Sequence, residues 1–237
     1  MKKIFSILFA LVLVVSLGLA TAAPVLAGTI IHVPSDYDTI QEAIDNAEDG
    51  DTIMVAAGEY EAAFVVNGKA NISIISTEGA TVTAAVYVPG LGETDVWVMA
   101  AVNASENINI EGINFDGTDV SEDGSICGIV YADSTGRIAD LTVENIYDST
   151  LGAGVAIIGD AGTSTVEITG STTSHNRIGI YFFGDSSLDS LEAHFNNIVG
   201  NNASGVVNDG FGGTVNATHN WWGDASGPYH ESLNPDG

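Results

Sequence analysis

Apolar and polar residues alternate in short runs along this chain. Within residues 107–115, Ile108 and Ile110 fall on one side of an extended strand, while Asn107, Asn109 and Glu111 fall on the other. That is the alternation of a wall with a dry inside and a wet outside. Similar runs cover residues 29–33, 51–56, 63–66, 71–75, 81–88, 95–102, 138–146, 164–169 and 188–195, separated by turns rich in Gly, Asn and Ser. In the second half a period emerges: Gly128-Ile129, Gly154-Val155, Gly179-Ile180 and Gly205-Val206 recur at spacings of 26, 25 and 26 residues. A fixed period of this length marks a solenoid. At about 3.3 Å per strand residue, roughly 25 residues are too few for a propeller blade but suffice for one triangular coil of three short strands. The expectation is an all-β, single-stranded parallel β-helix of about seven coils.

One segment breaks the period of two. Ile40, Ala43, Ile44 and Ala47 lie on one face of a short helix over about 36–48, ended by Asp49-Gly50. A solenoid exposes an open apolar end and unpaired strand edges at its first coil, so a capping helix is expected there. Before it, Lys2 and Lys3, an apolar stretch over 4–20 and small residues up to Ala27 follow the secretory pattern. Cleavage is expected after Ala27, the alternative being a retained membrane anchor. The domain organisation is thus a signal peptide (1–27), one β-helix domain (28–230) and a short polar tail (231–237). No membrane insertion is expected after signal cleavage, and the location is secreted, extracellular or cell surface.

Charge narrows the partners. Without the leader, only Lys69, Arg137 and Arg177 stand against 31 acidic residues. Nucleic acid and anionic membrane would be repelled, and a polyanionic polysaccharide is hard to hold unless calcium bridges the two. With 45% hydrophobic and 15% charged residues, the chain is nonetheless globular rather than disordered. The lone Cys127, inside the apolar run 126–129, reads as an inert core thiol.

Two stretches carry a resemblance. DTIQEAIDNAEDGDTIMVAAGEYEAAFVVNG (38–68) resembles the opening of secreted right-handed β-helix proteins of the pectin-lyase-like superfamily, and NWWGDASGPYHESLNP (220–235) is similar to the closing motif of many β-helix surface proteins. The resemblance implies a right-handed parallel β-helix. It does not imply one activity, because that superfamily contains lyases, hydrolases, esterases, epimerases and non-catalytic members.

Candidate chemistry is sparse. Arg137 and Arg177 fall at different phases of the glycine ruler, 9 and 23 residues past their glycines, so they are expected on different faces rather than as a lyase base pair. The motifs of galacturonan hydrolases and pectin methylesterases are absent. Asp133, Asp160, Asp185 and Asp209 follow the ladder glycines by 5, 6, 6 and 4 residues. Stacked about 5 Å apart, they read as turn residues, as calcium ligands, or, with Asp160 and Asp185 as the catalytic candidates, as carboxylates of a hydrolase. The acidic loop 116–124 is another oxygen-rich candidate for calcium. His175, His194, His219 and His230 occupy different phases, which argues against copper. Trp221, Trp222 and Tyr229 either stack on sugar rings or plug the last coil.

These observations lead us to expect a secreted or cell-surface β-helix protein, non-catalytic, contacting extracellular polysaccharide or cell-envelope glycans or serving as an envelope component. The alternative is a polysaccharide-active enzyme, a glycoside hydrolase or lyase, using the acidic column.

Overall fold

The computed structural model describes residues 28–91, 94–122, 124–147, 151–159, 164–184, 191–210 and 215–228. The expected leader and tail lie outside them.

Three walls of short strands wind into a right-handed parallel β-helix. The first wall holds β1 (Ile30–Val33), β2 (Thr52–Val55), the first halves of β5 (Ser73–Val82) and β8 (Ile108–Asp116), then β10 (Thr135–Ala139), β13 (Thr165–Thr169), β16 (Leu191–His194) and β19 (Val215–Asn216). The second holds β3 (Gly58–Tyr60), the remaining halves of β5 and β8, β11 (Thr142–Glu144), β14 (Thr172–Ser174) and β17 (Asn197–Val199). The third holds β4 (Phe64–Asn67), β7 (Thr94–Asn103), β9 (Ile126–Ala132), β12 (Gly152–Gly159), β15 (Ile178–Gly184) and β18 (Ser204–Asp209). These strands pair in parallel; β6 (Val86–Leu91) instead forms an antiparallel hairpin with β7. Six strands on the third wall define about six turns, one fewer than the sequence suggests. The first wall carries two more strands, β1 at its start and β19 at its end.

In-register stacking repeats one residue type at one place. Ile31, Ile53, Ile74, Ile110, Ile138, Ile168 and Ala193 form a single inward column through seven levels of the first wall. Branched side chains suit this pleated, fully buried surface, and each contributes about 1.5–3 kcal/mol when it leaves water. Tyr131 also points inward, its hydroxyl donating to the Ile108 carbonyl at 2.8 Å. Burial holds that phenol above its ordinary pKa, so it stays neutral.

Corners pose a different problem, because a bending chain leaves buried amides without a ladder partner. Side chains of the next coil supply the acceptors. At one corner the amides of Lys69, Ser105 and Ser134 donate to the hydroxyls of Ser105, Ser134 and Ser164 at 3.2, 3.1 and 3.3 Å. At another, the amides of Ile146 and Asn176 donate to the side-chain oxygens of Asn176 and Asn201 at 2.9 and 3.2 Å. At the third, Ser171 and Asn196 donate in the same way to Asn196 and Asn220, at 3.0 and 2.9 Å.

The glycine ladder belongs to one of these corners. Gly128, Gly154, Gly179 and Gly205 stand in register on the third wall, with Met99 at the same level of the preceding turn. A Cβ on Gly154 would lie 2.6 Å from the Asn176 amide nitrogen and 2.9 Å from the Gly179 carbonyl oxygen. The period read in the sequence is therefore the repeat of a close approach.

The cap is helix α1 (Ile40–Asn46), shorter than the expected 36–48. Thr39 caps it by accepting the Glu42 amide at 3.1 Å, and Ile40, Ala43 and Ile44 bury the apolar face on the first turn. Gln41 covers the open edge of β4: it accepts from the Val65 amide at 2.7 Å and donates to the Val65 carbonyl at 3.1 Å. Lys69 closes the other end, donating to the Asp45 and Ala47 carbonyls at 3.2 and 2.9 Å.

The third wall departs from the expected dry-inside, wet-outside rule. Its outward column Val65, Ala101, Val130, Ala156, Tyr181 and Val207 is apolar, and Ala101, Val130 and Ala156 are fully buried. Cys127 is buried as expected, but within this second apolar cluster rather than the interior one.

Candidate functional site

The aspartates single out the third wall and the turn after it. Ala132, Ile158, Phe183 and Asp209 share one register column, whereas Asp133 lies one position beyond Ala132. Asp133 and Asp209 therefore occupy neighbouring columns three coils apart, about 14 Å along the axis. Asp133 sits in a left-handed turn at φ 46°. Asp209 accepts a hydrogen bond from the Tyr181 hydroxyl at 3.0 Å. Desolvation first, and then this carboxylate, push the Tyr181 phenol up to about 12. Asp160 and Asp185 lie outside the described residues. Among the described residues, no three His, Cys, Asp or Glu side chains are arranged to hold a metal ion.

In the acidic loop, Asp116 is occupied by its own turn. Its Oδ1 accepts from the Thr118 amide at 3.0 Å, the Thr118 hydroxyl at 2.6 Å and the Asn145 amide at 2.9 Å. Burial would raise the pKa of this carboxyl, but these donors together hold it below the ordinary value.

At the C-terminal end the two tryptophans separate. Trp222 packs on the interior core over Gly205, where an added Cβ would come within 3.1 Å of the indole. This is the plug arrangement. Trp221 turns outward and is 50% exposed. Tyr229 lies outside the described residues.

A group of side chains that the sequence reading did not assemble lies on the outer surface of the first wall. Arg137, Glu167 and Glu192 share one outward column, and Glu111 and His194 stand in the next. The Arg137 guanidinium reaches Glu111 at 3.5 Å and Glu167 at 3.6 Å. His194 continues the ladder, Nε2 lying 3.2 Å from Glu167 and Nδ1 3.8 Å from Glu192. Such cross-strand pairs on a half-exposed surface organise the side chains but stabilise little, about 0–1 kcal/mol each.

An aromatic platform adjoins this ladder. Phe195 occupies the corner directly after β16, 64% exposed, with a left-handed φ of 59°. Its ring stacks on His219, centroids 5.2 Å apart and 25° between planes, and meets His194 edge-on at 5.2 Å. The same corner is Asp140 and Gly170 in the two preceding turns, residues at ease with φ near 50–65°. A phenylalanine there bears roughly 1–2 kcal/mol of backbone strain while leaving its ring in water. His219, the same corner in the following turn, shares this left-handed backbone at φ 59°.

The glycine ruler missed this group for a geometric reason. Between the third and first walls, two residues separate β9 from β10, but five separate β12 from β13 and six separate β15 from β16. Counting from the glycines loses register once the chain leaves the third wall. Arg137 and Arg177 do lie apart, on the first wall and in the turn after β14. His194 and His219, assigned to different phases, are joined through Phe195.

No family model, curated protein or solved structure matches the chain. The fold defines a parallel β-helix protein.

Proposed function

We propose that this is a secreted or cell-surface β-helix protein of pectin-lyase-like type that binds extracellular glycan without turning it over. The observation that carries the reading is the exposed platform of Phe195 and His219 at the end of the acid ladder, with outward-facing Trp221 in the same closing turn. A flat apolar ring edged by carboxylates and imidazoles suits a sugar, which presents C–H faces and hydroxyl edges. Such a surface reads a polymer by contact at several turns, as repeat architectures do.

The test is a glycan array on the protein, followed by calorimetry on the best ligand. Phe195→Gly is the informative variant, because glycine accepts φ 59° and the fold is not threatened. Wild type is expected to bind, and Phe195→Gly and Trp221→Ala to bind about tenfold more weakly or not at all. Release of new reducing ends would overturn the non-catalytic reading, and wild-type silence on every glycan would sink it altogether.

A further inference from the structure

The platform's electrostatic setting names a ligand class, an inference that rests on the glycan-binding reading above. Two carboxylates, Glu167 and Glu192, face outward around His194, which meets the Phe195 ring edge-on, and the guanidinium of Arg137, two coils back, is already held between Glu167 and the more distant Glu111. His194 lies between the Glu167 and Glu192 carboxylates, so its N–H is also directed into this row. A uronate docked on Phe195 would meet this acidic row, on a chain whose net charge is −26. An ammonium group meets the opposite. It is drawn by the carboxylates and by the negative face of the exposed ring, to which a cation within about 6 Å is attracted.

We propose that the platform formed by Phe195 and His219, with Glu167 and Glu192 beside it, binds glycans carrying free amino groups, such as de-N-acetylated amino-sugar polymers. The aromatic ring supports the sugar face, and the carboxylates of Glu167 and Glu192 receive the ammonium. Acetylation of that nitrogen removes the charge and with it the selective contact.

The experiment compares four probes by calorimetry at physiological ionic strength: glucosamine oligomers, their N-acetylated counterparts, oligogalacturonate and a neutral glucan oligomer. Glucosamine oligomers are expected to bind about tenfold or more tightly than the acetylated form, and oligogalacturonate not at all. An acidic protein attracts any polycation, so the decisive control retains the charge and removes the ring. Phe195→Gly is expected to lose glucosamine binding; retention at wild-type strength would show unspecific attraction and overturn the proposal. Glu167→Gln with Glu192→Gln should erase the preference while leaving the weaker binding to the acetylated oligomer. Equal or tighter binding of the acetylated or neutral probe would overturn the amino-sugar assignment yet leave glycan binding standing. Failure of all four probes would overturn both.

Discussion

At the scale of the residue, the interior is most sensitive where polar and small side chains break the apolar columns. Thr173 stands in the inward column of Phe115, Val143 and Ile198, and its buried hydroxyl has no hydrogen-bond partner among the described residues. Valine has nearly the same shape without the hydroxyl. Thr173→Val is therefore expected to stabilise the protein by about 1–2 kcal/mol, the desolvation cost of an unpaired hydroxyl. Gly154→Ala should do the reverse: its Cβ would press on Asn176 and the Gly179 backbone, and overpacking of this kind costs about 1–3 kcal/mol. Urea unfolding midpoints of both variants check the pair. A destabilised Thr173→Val would mean that the hydroxyl has a partner, and an unchanged Gly154→Ala would mean that the corner is looser than it stands here.

At the scale of the element, corners rather than strands set the register. Asn176 shows why: its oxygen accepts the Ile146 amide at 2.9 Å and its nitrogen donates to the Val143 carbonyl at 3.0 Å, both out of reach of water. Asn176→Ala strands two buried backbone groups at about 1–3 kcal/mol each, so a loss of about 2–5 kcal/mol is expected. Ser134→Ala, which removes a hydroxyl accepting one amide, should cost less. Native-state hydrogen exchange gives the local signature, since the Ile146 amide should lose protection selectively in Asn176→Ala; uniform loss would disprove the corner assignment. The strands and the cap were legible in the sequence because alternation and the 3.6-residue period are local. The Phe195 platform was not. Its rings come from two successive turns and the flanking Glu167 from a third, reached by connections of different length, and its one local sign, an aromatic where the two preceding turns place Asp140 and Gly170, shows only once the corners are aligned. The outward apolar column of the third wall escaped for a similar reason: a run such as residues 126–132 is apolar at every position and does not tell inside from outside.

At the scale of the whole molecule, two electrostatic effects oppose one another. Among the described residues, the ion pairs of Arg137 with Glu111 and Glu167 are partly exposed at 3.5 and 3.6 Å and are worth about 0–1 kcal/mol each at low salt. Against them stands a net charge of −26, whose self-repulsion is relieved when the chain expands on unfolding. Salt screens both, with a Debye length falling from about 30 Å at 0.01 M to about 3 Å at 1 M. Repulsion extends over the whole rod and involves far more charges, so it should win. The unfolding midpoint is therefore expected to rise steadily as sodium chloride increases from 0.01 M, and to level off by about 0.5 M, where only near neighbours still interact. The Arg137→Gln variant sharpens the reading. It removes both ion pairs and one positive charge, so its midpoint should lie below wild type at low salt and converge on it as salt screens the difference. A wild-type midpoint that falls with salt would show that the ladder on the first wall outweighs the repulsion, and that the acidic surface is tied together more tightly than its exposed pairs allow.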